Sequence, residues 1–167
     1  MPRRLLDRWR PESIREFRAS AQQRFDDALS LAISGRRTGA VYLWGYSAEM
    51  LIKAAYFSAI GMPETDTITW ANHIGPAIIK GRGLAIVWPG NGAGHNVRAW
   101  SELLVVERNS SATSYPISFS LEIRKHSGRI EQLWSEVLRY HSNIPYRYEM
   151  NQVREAAEWL LANSREL

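Results

Sequence analysis

Residues 40–57 read AVYLWGYSAEMLIKAAYF, a nearly unbroken apolar run holding one carboxylate, Glu49, and one ammonium, Lys53. A membrane span, a buried helix and a ligand pocket each explain that pair differently. In lipid, each mid-helix charge costs about 2.5–3.5 kcal/mol on insertion scales, so the run reads as a helix buried in protein. On a wheel of ~100° per residue, Gly45, Ala48, Ile52, Ala55 and Ala59 make a small-residue seam that a neighbouring helix can approach closely. Leu43, Met50, Leu51, Ala54 and Phe57 spread over other directions, so this helix touches neighbours on most sides and is central. Tyr42, Tyr46, Glu49, Lys53 and Tyr56 share one narrow polar stripe. Glu49 precedes Lys53 by four residues, the favourable order for a helical ion pair.

Working outward, residues 10–34 place Phe17, Ala21, Phe25, Ala28, Leu29 and Ala32 at helical spacing, with Arg and Gln filling much of the other face. Pro11 suits a first turn, and Gly35 stands where a helix should stop. The link GRRTG is short, so the second helix, residues 38–60, should run back antiparallel. Residues 62–96 are mixed: GPAIIKGRGLAIVWPG fits a short helix from Pro76 or a strand pair, and the short helix is the expectation. PGNGAG, residues 89–94, reads as a loop. No Gly-Lys-Ser/Thr follows it, so it is not a phosphate loop. His95 or Asn96 opens a helix carrying Val97, Trp100, Leu103, Leu104 and Val106. Beyond the polar loop ERNSSATSYP, Ser118 or Ser120 opens a helix expected to reach about Ser142, with Leu121, Ile130, Leu133, Trp134, Val137 and Leu138 on its apolar face. Pro145 breaks it. The last helix, residues 148–163, buries Val153, Ala156, Ala157, Leu160 and Leu161. Five or six helices and no convincing strand predict an all-α, antiparallel up-and-down bundle in one domain over residues 1–167.

Composition narrows the functional classes. The 167 residues suffice to bury a core without disulfides or metals. The formal net charge is +4, which permits an acidic partner without requiring one. Lysine occurs only at Lys53, Lys80 and Lys125, so the basic excess is arginine, a residue suited to phosphate and carboxylate recognition. The absence of cysteine excludes disulfide scaffolds, thiol catalysis and Cys-type zinc sites, and fits a reducing cytosol. The opening MPRRLLDRWR has no apolar core long enough for a secretion signal. A cytoplasmic protein without a membrane span is therefore expected. There is no His-Glu-x-x-His, carboxylate cluster, Ser–His–acid context or dinucleotide fingerprint, so neither a metal nor a cofactor is expected.

The segment RRTGAVYLWGYSAEMLIKAAYF resembles the second helix of the HEPN superfamily (higher eukaryotes and prokaryotes nucleotide-binding) through Tyr42, Leu43, Gly45, Glu49 and Lys53. GHNVRAWSELL is similar to the family's following helix through His95, Leu103 and Leu104. LWSEVLRYHSNIPYRYEMNQVREAAEWLLANS resembles its Arg-Tyr corner and terminal Ala-rich helix. The likeness spans residues 12–165. It implies a helical up-and-down core, frequent homodimerisation, and roles in RNA cleavage, toxin–antitoxin pairs or partnership with nucleotidyltransferases. Ribonuclease members carry an Arg, four to six residues, then His. None of His73, His95, His126 and His141 has an Arg five to seven positions before it, so the expectation leans away from an enzyme.

Candidate residues follow, each with two readings. Glu49 and Lys53 are a buried ion pair completed by tyrosine hydroxyls, or, with Tyr42, Tyr46 and Tyr56, a polar pocket for a nucleotide. His95 is a cap or an exposed side chain, or, with Arg98 one turn on, meets a phosphate at a helix N-terminus. Arg139, Tyr140, His141, Arg147 and Tyr148 form a core-packed corner or a cationic and aromatic surface for nucleic acid. Arg139, His141 and Arg147 are also the only candidates for a rearranged metal-independent ribonuclease site. Trp44, Trp100, Trp134 and Trp159 read as packing, in the core or at a dimer seam. The expected protein binds nucleotide, RNA or a protein partner. A ribonuclease and a purely structural interaction module are the alternatives.

Overall fold

The apolar stretch of residues 40–57 is a helix surrounded by the rest of the chain. In the computed structural model, which describes residues 11–88, 93–112 and 114–167, six α-helices follow in order: α1 Ile14–Ile33, α2 Arg37–Ala59, α3 Gly75–Gly83, α4 Val97–Asn109, α5 Ile117–Leu133 and α6 Arg147–Ala162. A π-helical turn, Trp70–Ile74, leads into α3, and 3₁₀ turns lie at Ala93–His95 and Glu136–Tyr140. No strand occurs among the described residues. No described helix is long and apolar enough to cross a membrane.

Local chemistry sets the ends. Ser13, rather than Pro11, starts α1: its Oγ accepts from the Glu16 N–H at 3.2 Å, a cap worth about 1 kcal/mol. Arg10 lies outside the described residues. α1 and α2 both close with paired reverse bonds. Gly35 N–H donates to Ala32 O and Arg36 N–H to Leu31 O, and Gly61 and Met62 repeat this on Ser58 and Phe57. Both motifs need a left-handed residue, and Gly35 and Gly61 supply it at φ +73° and +80°. Asn96 opens α4 by accepting from the Ala99 N–H. The short helix after Pro76 forms as expected.

α1 and α2 are an antiparallel hairpin. Leu31 abuts Gly39, the Phe25 and Trp44 rings lie 6.2 Å apart, and Ser47 Oγ donates to Ala21 O at 2.8 Å, so one chain climbs as the other descends. α4 and α5 are antiparallel too, through Asn96–Glu131, Ser101–Ser127 and Glu102–Arg124. α6 returns along α5, with Trp159 over Phe119 and His126. α2 is the hub, packed by α1, α4, α6 and the 3₁₀ turn at Glu136–Tyr140. From Leu51 to Phe57 every α2 side chain is buried. Burial on most sides explains why α2 has no broad solvent-exposed polar face.

One boundary corrects the expectation. The helix predicted to reach Ser142 ends at Leu133. Trp134 turns extended, at φ −127° and ψ 141°, and its indole sinks against Gly45, donating Nε1–H to Tyr42 O at 3.0 Å. A Cβ at position 45 would overlap that indole, so the small-residue seam of α2 receives a side chain here rather than a helix backbone. Ser135 then caps a separate 3₁₀ turn. Val137, expected inside, is about half exposed, as is Leu121 on α5.

Candidate functional site

Three polar groups meet inside the bundle. Glu49, on the buried stripe of α2, is 3% exposed. Lys53, one turn on, donates Nζ–H to Glu49 Oε1 at 2.5 Å, and its ammonium lies 5.4 Å from the centroid of the Trp100 ring on α4. From the other side, His95 places Nδ1 at 3.0 Å from Glu49 Oε2 and 3.2 Å from Oε1. The 3₁₀ turn Ala93–His95 delivers this histidine, and Trp100 braces that turn by donating its indole N–H to Gly94 O. A carboxylate this buried persists only when paired and hydrogen-bonded, and Glu49 has two partners. The side chain of His95 is 39% exposed against 7% for Lys53. The ionisable group this cluster shows to solvent is therefore the histidine.

The Glu49 hydrogen bond raises the His95 pKa above its ordinary value, against burial and the Lys53 charge, which lower it; Glu136 adds a further upward push. An imidazole on a fixed carboxylate keeps more of its positive charge near neutrality. Glu131, on α5, accepts from the Asn96 amide at 2.8 Å. Burial raises its pKa, while the Arg98 backbone N–H, the Asn96 amide and the Arg98 charge hold it down.

An aromatic face continues outward. The Tyr46 ring stands edge-on to His95 at 5.8 Å, to Trp134 at 5.4 Å and to Tyr42 at 4.9 Å. Burial, the Tyr42 hydroxyl and the Glu49 charge keep the Tyr46 phenol un-ionised. Arg139, on the 3₁₀ turn, lies 4.8 Å over the Tyr140 ring, and Tyr140 and Tyr42 both raise its pKa. Glu49, His95, Tyr46, Tyr42 and Arg139 thus form a continuous path from a buried carboxylate to an exposed guanidinium. Beyond Lys53 the stripe becomes core: Tyr56 packs on Phe57 and Trp100, and burial pushes its hydroxyl up to about 12.

Of the predicted site residues, Tyr42, Tyr46, Glu49, Lys53, His95 and Arg139 are brought together. Tyr56 joins them through Trp100. Arg98 is exposed on α4. His95 turns toward Glu49, and Asn96 takes the capping role at the α4 N-terminus. Tyr148 is exposed at the start of α6, stacked on Tyr146 at 5.8 Å. His141 and Arg147 line two neighbouring clefts that share Gly35, apart from the Glu49 cluster. Three participants were missed: Trp134, read only as packing, Glu136 and Glu131. No motif marks them, because the end of α5 and the next turn meet α2 only in the fold. No group of three or more His, Asp or Glu suited to holding a metal occurs among the described residues.

Compared with known proteins, the chain matches no protein-family model, no curated protein and no solved structure.

Proposed function

We propose that this chain is a HEPN-like protein that binds RNA or nucleotide phosphates across the face of Tyr42, Tyr46, His95 and Arg139. The observation that carries this reading is the path from buried Glu49 through His95 and Tyr46 to exposed Arg139. Single-stranded nucleic acid needs cations for its backbone and flat rings for its bases, and both stand side by side here. Lys53 acts from behind: it neutralises Glu49 so that the carboxylate does not repel a phosphate. A homodimer, a nucleotidyltransferase-type partner and a toxin–antitoxin or defence setting belong to the same reading.

The test is fluorescence anisotropy of a labelled single-stranded RNA oligonucleotide at two salt concentrations. Phosphate contacts make log affinity fall with log salt at about 0.7 per phosphate neutralised on a single strand. His95→Gln and Arg139→Gln should each weaken binding and flatten that slope. Affinity indifferent to salt and to both variants would leave the protein-interaction module instead.

A second reading, a metal-independent ribonuclease, is favoured by one detail. His95 spends Nδ1 on Glu49, and Nε2 has no partner among the described residues. In that reading Nε2 takes the proton of a 2′-hydroxyl as its oxygen attacks the adjacent phosphorus. A 2′,3′-cyclic phosphate forms as the bond from phosphorus to the 5′-oxygen breaks, and the 5′-oxygen takes a proton from solvent water. Cleavage that survives a chelator and is lost in His95→Gln would support it.

A further inference from the structure

Two residues after Tyr42, about 200° round the helix, Trp44 faces away from the site above. It is fully buried and lines a cleft of about 340 Å³ between the end of α1, the start of α2 and the first half of α6. Arg37, Arg147 and Arg154 line the same cleft, and none of its lining residues is acidic. Arg147 and Arg154 are seven residues apart, so they share one face of α6. None of the three guanidiniums has an ion pair among the described residues. The Nε–H groups of Arg37 and Arg154 and the indole N–H of Trp44 are buried without a hydrogen-bond partner.

Here three guanidiniums line one cavity with no counter-charge. A group presenting several acceptor oxygens and more than one negative charge would satisfy them together. Guanidinium forks match phosphate oxygens in pairs, whereas a single carboxylate would leave most of the charge uncompensated. Leu29, Ala32, Ile33 and Met150 supply apolar walls beside the cations.

We propose that this cleft is a binding site for a multiply charged phosphate group, a diphosphate or phosphomonoester, held by Arg37, Arg147 and Arg154. The site is independent of the RNA-binding face, and either can fail without the other.

The test is calorimetric titration of the full chain with inorganic pyrophosphate at constant ionic strength. Adenosine monophosphate, single-stranded RNA and acetate serve as parallel arms. Saturable binding of pyrophosphate or the monophosphate is expected, with acetate at least tenfold weaker. Arg147→Gln, at an exposed position, and Arg154→Gln should each weaken binding at least tenfold, while Arg82→Gln, at the distant end of α3, should not. Circular dichroism verifies that each variant is folded. If only RNA binds and Arg147→Gln leaves it unchanged, or if acetate equals pyrophosphate, or if nothing saturates, the proposal is overturned.

Discussion

His95 Nδ1 lies 3.0 Å from Glu49 Oε2, so a half-exposed histidine is tied to a carboxylate buried in the central helix. Glu49 raises the His95 pKa, which means the folded state holds that proton more tightly than the unfolded chain does. The stability it adds is fully present below the unfolded value of about 6.5 and drains away as pH rises through the higher folded value. His95→Gln should therefore cost more stability at about pH 5.5 than at about pH 8.5, measured by urea denaturation at each pH. Equal losses at both would contradict the coupling.

His126 should behave oppositely. It stacks on Trp159 at 4.6 Å, and its Nδ1 is buried without a partner. Burial lowers its pKa despite the pull of Glu122. A histidine depressed in the fold contributes stability that is present above about 6.5 and lost as pH falls through the folded value. His126→Gln should reduce the protein's sensitivity to mild acid, visible as a shallower fall in melting temperature between neutral pH and about pH 5. An unchanged fall would show that the ring takes up its proton as readily in the fold as in the unfolded chain.

Lys53→Met removes the ammonium from a carboxylate that is almost fully enclosed. Breaking one partner of a buried pair typically costs about 3–5 kcal/mol, and His95 can replace only part of the lost charge. Adding Glu49→Gln should recover a large share, because no isolated charge is then left behind. Chemical denaturation of the two single variants and the double variant gives the cycle. A loss below about 1 kcal/mol for Lys53→Met, the size typical of exposed pairs, would mean that the pair is effectively solvated.

Gly45→Ala should destabilise by about 1–3 kcal/mol, the usual cost of overpacking, since the new methyl would overlap the Trp134 indole. In a Trp134→Ala background the same change should be nearly neutral. Additive losses in that cycle would place the indole elsewhere.

The helices were legible where apolar residues recur every three or four positions, because one buried face enforces that spacing. The α2 stripe was legible for the same reason: residues 42, 46, 49, 53 and 56 lie one above another along a single helix. The length of α5 was not. Residues 134–138 keep a helical apolar pattern, and only the slot at Gly45, far away in sequence, draws Trp134 out of the helix. His95 was singled out for a phosphate together with Arg98. Its carboxylate partner is on another helix, and adjacency in sequence gave no hint of that bond. The cleft of Arg37, Arg147 and Arg154 was similarly hidden, since a lone arginine looks the same whether it faces water or an empty cavity.

RNA affinity as a function of pH, for the wild type and His95→Gln, tests the central claim most directly. That claim is our proposal that Glu49, by raising the His95 pKa, favours a positive charge that contacts phosphate. Wild-type affinity should fall as pH rises through the elevated His95 value, while His95→Gln should bind weakly at every pH with no such step. Identical affinity and pH dependence in the two proteins would contradict it.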